Sequence, residues 1–186
     1  MTSFIPENID QIKSWAVKSL ASHDLPSLDG FADVRLMPWS CVWRTETARG
    51  RVYLKWMAPL FSREPEIIDF LKRNVSDSHL PVVLAQNHEL SAFIMEDAGI
   101  VLRDQIIHQY DTDMVERVLQ TYAHLQRRAI DKTPDLPKDV FHDYRLGNLP
   151  ELFDTLLGKQ DFLNTHGITN DMIHKLKSAR HNFSTW

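Results

Sequence analysis

The chain has 186 residues and a formal net charge of -4, with 43% hydrophobic and 25% charged side chains. That length suits one large domain or one and a half small ones, and the composition is that of a chain with an ordinary core rather than a disordered one. No Lys/Arg block stands out, which argues against a nucleic-acid partner, and no apolar run approaches the roughly 20 residues of a membrane span, which argues against a membrane partner.

The N-terminus, Met-Thr-Ser-Phe-Ile-Pro-Glu-Asn, has neither the basic start nor the apolar stretch of a signal peptide. One cysteine, Cys41, cannot form an internal disulfide, which suits a cytoplasmic location. Ile9, Ile12, Trp15, Ala16 and Leu20 recur at helical spacing and predict an amphipathic helix over residues 9–21. Pro26 and Asp29-Gly30 break the chain. Strands are expected over 31–37, 41–47 and 51–56, the last two joined by Ala48-Arg49-Gly50 with Gly50 free to take positive φ. A helix over about 62–74 follows, with Ser62 as N-cap and Pro65 in the first turn, where proline is tolerated. Stretches 81–87 and 90–95 read as a hairpin turning at Asn87-His88-Glu89. After Gly99 the pattern turns helical, with a stripe of Met114, Val118, Tyr122 and Leu125. Strands first and helices afterwards make an α+β layout, with a boundary near residues 96–101.

The informative constellation lies between Pro38 and Pro65. On the strand 51–56, alternation puts Lys55 on one face with Tyr53 and Arg51, opposite Leu54. A lysine there can be a solvated edge charge. The next helix offers another reading. Glu64 precedes Ile67, Ile68 and Leu71 by helical intervals and so projects toward the buried side, whereas Glu66 falls with Asp69 and Arg73 on a more exposed one. An inward acid needs a cation, and Lys55 is the nearest in sequence. A strand lysine paired with a helix glutamate is the device by which kinases hold the α and β phosphates of ATP. Glu64 could equally do no more than oppose the positive helix N-terminus.

From Trp39 to about Gly99 the chain resembles the small lobe of the aminoglycoside phosphotransferase and choline-kinase-like superfamily. Leu54-Lys55 matches the lysine strand, Arg63-Glu64 the glutamate helix, Pro81 with Val82 to Leu84 the strand that follows, and Phe93-Ile94-Met95-Glu96-Asp97-Ala98-Gly99 the strand and hinge that receive adenine. The resemblance implies an antiparallel sheet with one key helix over residues 1–98, then the first helices of an incomplete helical lobe over 99–186. It implies that Met95 lies against adenine, with the Glu96 carbonyl and the Ala98 N–H as its hydrogen-bonding groups. The phosphate loop would be Pro38-Trp39-Ser40, with the Ser40 hydroxyl and backbone N–H groups as contacts. No glycine lies between Gly30 and Gly50, so this is no glycine-rich cradle. ATP is then the implied nucleotide, Mg2+ the metal of the complete family enzyme, and a small-molecule hydroxyl the acceptor.

Phosphotransfer of this class needs a loop Asp, an Asn five residues on and a later metal-binding Asp. His142-Asp143-Tyr144-Arg145-Leu146-Gly147-Asn148 with Asp161 matches that spacing. The match is read as coincidence. Leu149, Leu152, Phe153, Leu156 and Leu157 predict a helix that carries Asp161 away from Asp143. Leu163, not glycine, follows Asp161-Phe162, and only 43 residues separate Gly99 from His142, too few for this family's helical insertions. No catalytic residue and no metal ligand is therefore assigned, with Asp143 and Asn148 as the alternative catalytic pair and Asp161 as the alternative metal ligand. The true catalytic loop is expected beyond Trp186, and a helix capped by Thr169 is expected near the end of the chain. This predicts nucleotide binding without turnover, the alternatives being a non-catalytic partner-binding module or a structural domain in which Lys55 and Glu64 form an ordinary ion pair.

Overall fold

A computed structural model describes residues 5–75, 79–136 and 143–180. His142, His181 and the terminal run Phe183 to Trp186 lie outside the described residues. The architecture is α+β, with a five-stranded antiparallel sheet and seven α-helices among the described residues. Two compact units divide the chain, Met1–Leu136 and Pro137–Trp186.

The first unit begins with helix α1, Ile9–Ser22. Strands β1 (Ala32–Met37), β2 (Ser40–Thr47) and β3 (Gly50–Met57) follow as successive hairpins, then helix α2 (Glu64–Val75). Strands β4 (Val83–Asn87) and β5 (Ala92–Glu96) complete the sheet in the order β1-β2-β3-β5-β4. Helices α3 (Leu102–His108) and α4 (Thr112–Ile130) close the unit.

Period-two patterning decides which face of the sheet is buried. Cys41, Trp43, Val52, Leu54, Trp56, Ala92 and Ile94 form one face, and α1 covers it with Ile12, Ala16 and Leu20, spaced four apart on one helical stripe. Full burial of each large side chain there contributes on the order of 1.5–3 kcal/mol. At the β2–β3 turn Gly50 takes φ +113°, a conformation that side chains with a Cβ avoid. Thr47 closes the same turn, its hydroxyl donating to the Gly50 carbonyl at 2.7 Å.

Two details of α2 differ from the sequence expectation. The helix starts at Glu64, and Ser62 is no cap: its hydroxyl donates to the Pro59 carbonyl at 2.9 Å and closes a short 3-10 turn, Pro59–Phe61. The buried residues of α2 are Pro65, Ile68, Phe70 and Val75, a broader set than one stripe, because β4 and α4 both contact the helix. Arg128 of α4 donates to the Val75 carbonyl, placing a cation at the negative end of α2. The stripe expected on α4 is helical but not buried: Val118 is 42% and Tyr122 58% exposed, and no residue of α4 is buried.

The second unit holds helices α5 (Leu149–Gly158), α6 (Gln160–Thr165) and α7 (Asn170–Ser178) around Leu157, Leu163 and Ile173. Thr169 caps α7 as expected, accepting from the Met172 N–H at 3.3 Å. No helix among the described residues is long and apolar enough to cross a membrane.

Candidate functional site

The sheet face turned away from α1 carries the site. Strand β3 alternates so that Val52, Leu54 and Trp56 are buried while Arg51, Tyr53 and Lys55 stand half-buried on the opposite side. Lys55 lies between Val42 of β2 and Phe93 of β5 in register, and Glu64 occupies the first position of α2. Their side chains meet: Lys55 Nζ donates to Glu64 Oε2 at 2.5 Å. The Lys55 side chain is 19% exposed and that of Glu64 37%. Phe93 is fully buried and its ring centroid lies 5.9 Å from Lys55 Nζ, within cation–π range.

Along this face the other residues fall in rows set by strand register. Tyr53 pairs with Met95 on β5 and with Arg44 on β2, one row from Lys55 toward the linker. Glu96, at the end of β5, pairs with Val52 and so turns its side chain to the α1 face, leaving only its backbone at the linker end; its N–H donates to the Val82 carbonyl at 2.9 Å. Ala98 is exposed, and its N–H makes no hydrogen bond among the described residues. Gly99 follows with φ +95° and donates to Asp97 Oδ1 at 2.8 Å, which turns the chain out of the sheet. At the other end Ser40 pairs with Met57, one row beyond Lys55, just after a two-residue turn, Pro38-Trp39. Ser40, Lys55, Glu64 and Met95 are thus borne by adjoining elements, with Glu96 and Ala98 at the linker end. Tyr53 and Phe93 were not singled out as site residues from the sequence. The alternation that placed Tyr53 beside Lys55 was a signal for the first, whereas Phe93 needed the β3–β5 register.

Glu66 departs from expectation. Its side chain is only 16% exposed, less than that of Glu64, and both carboxylate oxygens are shielded from solvent. The reason is the second covered side of α2: Glu66 precedes buried Phe70 by four residues and so shares its side of the helix. His88 Nδ1 lies 3.0 Å from Glu66 Oε1, yet neither carboxylate oxygen has an aligned hydrogen bond among the described residues.

A groove of about 420 Å³ borders the linker end of the sheet, lined by Leu25, Thr47, Arg49, Arg51, Glu96 and Asp97 among others. Another of about 330 Å³ runs between α2 and β4, past Pro65, Asp69, Lys72 and Gln86. Neither is lined by Lys55. No protein-family model matches the chain, and no curated protein does.

In the second unit Asp143 is held by Arg145: its Oδ1 accepts from Nε at 2.8 Å and from the backbone N–H at 3.1 Å, and its Oδ2 accepts from Nη2. These bonds, the side-chain ones foremost, hold the Asp143 carboxyl well below the usual carboxylate range. Asn148 donates its side-chain amide to the Asp143 carbonyl at 3.4 Å and ends a 3-10 turn, Leu146–Asn148, that leads into α5. The helix expected between Asp143 and Asp161 is therefore present, and Asp161 stands exposed in the first turn of α6. Among the described residues no three His, Cys, Asp or Glu side chains lie together as a metal cage.

Proposed function

We propose that the chain holds a nucleotide as part of an ATP-dependent small-molecule phosphotransferase related to the aminoglycoside phosphotransferase and choline-kinase-like enzymes. The observation that carries the reading is the 2.5 Å contact of Lys55 Nζ with Glu64 Oε2, between the third strand and the helix that follows it. In a kinase-like small lobe this pair fixes the lysine so that its ammonium meets the α and β phosphates. The pair is partly exposed, so the ammonium can exchange solvent for phosphate oxygens without leaving the carboxylate.

The rows on the face support the same assignment. From the level of the Glu96 backbone, at the linker end, to the Ser40–Met57 row on the Lys55 face is five residues of strand, about 17 Å. That length accommodates an extended nucleoside triphosphate, with the base near Met95 and Tyr53, Lys55 midway and Ser40 at the far end. Tyr53 offers the base an aromatic face, and the Ala98 N–H, which has no hydrogen bond among the described residues, offers it a donor. A phosphotransferase would then join the acceptor oxygen to the γ-phosphorus as the bond to ADP breaks, with Mg2+ neutralising phosphate charge. On this reading the part of residues 38–98 is to bind and orient the nucleotide.

A binding-only module is the second reading, and the locked state of Asp143 favours it: a carboxylate held by Arg145 is a poor proton acceptor. The test is calorimetric titration with ATP and Mg2+. Binding that weakens at least tenfold in Lys55→Ala and in Glu64→Gln supports the nucleotide reading, since loss of one charge-assisted contact is worth about that factor. No heat of binding, or binding indifferent to Lys55, would remove it.

A further inference from the structure

Glu64 and Glu66 are two residues apart on α2, a rotation of about 200°, so they leave the helix on nearly opposite sides. Glu64 reaches Lys55 and Glu66 reaches His88, in the turn between β4 and β5. We propose that Glu66 and His88 are positioning residues: their contact fixes the rotation of α2 about its axis, and so holds the Glu64 carboxylate on the Lys55 ammonium.

Three observations converge on this contact. The Glu66 carboxylate is shielded from solvent and lacks hydrogen bonds among the described residues, so it needs a donor or a charge nearby. His88 Nδ1, 3.0 Å away, is such a group, on a side chain that is 62% exposed. Gln86 fixes the tautomer: its side-chain amide nitrogen lies 3.1 Å from His88 Nε2. An amide NH2 can only donate, so in this arrangement Nε2 accepts and the ring proton is on Nδ1, the nitrogen nearer Glu66. The contact also adjoins the lysine site, because a water-sized cavity is lined by Met57, Pro65, His88 and Phe93, and Phe93 is the ring beneath Lys55. An ion pair at one side of a helix leaves rotation about the axis soft, and a second contact on the opposite side removes that freedom.

The inference rests on the nucleotide reading only for the meaning of a fixed Lys55; the contact is testable with no nucleotide present. An ion-paired amine is a poor nucleophile, so acylation of Lys55 in the folded full-length chain, read by peptide mass spectrometry, reports how well Glu64 is held. Lys13 is the internal reference, since it lies on α1 over the Trp43 ring. His88→Gln and Glu66→Gln are each expected to raise Lys55 labelling about threefold, the scale of a partly exposed ion pair. The double variant should exceed neither single one, as contacting residues are non-additive. Lys13 labelling should stay constant. Unchanged Lys55 labelling would overturn the proposal, as would a parallel rise at Lys13, which signals general loosening. Failure of both variants to fold would also overturn it, because an exposed histidine that only positions a helix is dispensable for folding. Loss of ATP binding in the titration above would leave this result standing.

Discussion

Lys55 Nζ sits between two partners of different kind, the Glu64 carboxylate at 2.5 Å and the Phe93 ring with its centroid at 5.9 Å. The two groups of the ion pair are unequally exposed, 19% for Lys55 and 37% for Glu64. Unpairing the more buried charge costs more, since it has less water to turn to. Glu64→Gln is therefore expected to destabilise the chain by up to about 1 kcal/mol, and Lys55→Met by less than about 0.5 kcal/mol, because Glu64 stays solvated at a favourable helix N-terminus. Urea midpoints of the two variants check the order. The reverse order would mean that exposure does not govern this pair.

The same substitution should have very different costs on the two sides of the first unit. Leu54 has no exposed surface and lies in the core beneath α1, whereas Leu119 on α4 is 61% exposed. Leu54→Ala is expected to cost about 2–5 kcal/mol through lost burial and the cavity left behind. Leu119→Ala should stay within about 0.5 kcal/mol. Chemical denaturation of both variants tests this, and a large loss for Leu119→Ala would show that α4 is covered in solution.

Much of the fold was legible because strand and helix periods are local. Alternation in Arg51 to Trp56 placed Lys55 and Leu54 on opposite faces, and the i, i+4 spacing of Ile12, Ala16 and Leu20 gave α1 its buried stripe. What depended on distant partners was not legible. Glu66 looked exposed because nothing in α2 reveals that β4 and α4 cover two of its sides. The stripe of Val118 and Tyr122 was legible as helical, but its exposure was not, because periodicity reports a helical face and not what packs on it. Ser62 looked like a cap, but proline at position 59 begins a 3-10 turn whose carbonyl takes that hydroxyl first. Of the candidate site, the Lys55–Glu64 contact followed from two local periods. The place of Phe93 beside Lys55 required the β3–β5 register, which no local pattern sets.

Asp29 gives a pH dependence with a definite sign. Its Oδ1 accepts from the Glu46 N–H at 3.0 Å and from the Thr45 hydroxyl at 2.8 Å, tying the segment after α1 to β2. Those bonds, the backbone one first, lower the Asp29 carboxyl below its ordinary value. A carboxyl lowered in the folded state stabilises it above the unfolded value of about 3.9, and that contribution fades as pH falls through the folded value. Asp29→Asn keeps an acceptor oxygen but cannot titrate. Its melting temperature should therefore fall less steeply than that of the wild type as the pH is lowered from 5 toward 2, with the two curves parallel above pH 5. Parallel curves throughout would show that Asp29 titrates alike in the folded and unfolded chains.

Asp143 tests the expectation that its loop is not the catalytic loop. Its carboxylate is engaged by the Arg145 guanidinium and backbone N–H, and both lower its proton affinity. A general base acts best when its pKa lies near the working pH, so this aspartate is mismatched to taking a hydroxyl proton. Removing the guanidinium should raise the Asp143 titration toward the ordinary carboxylate range, visible as an upward shift of its carboxyl carbon midpoint by NMR in Arg145→Ala. Asp143→Asn should leave ATP binding unchanged, because the residues proposed to hold nucleotide lie on β2, β3, α2 and β5 and in the linker that follows. If the chain instead transfers phosphate to an acceptor and Asp143→Asn abolishes that transfer, Asp143 is the base and the coincidence reading of its loop is wrong. An Arg145→Ala variant that gained transfer would go further, making the arginine an inhibitor of the same site.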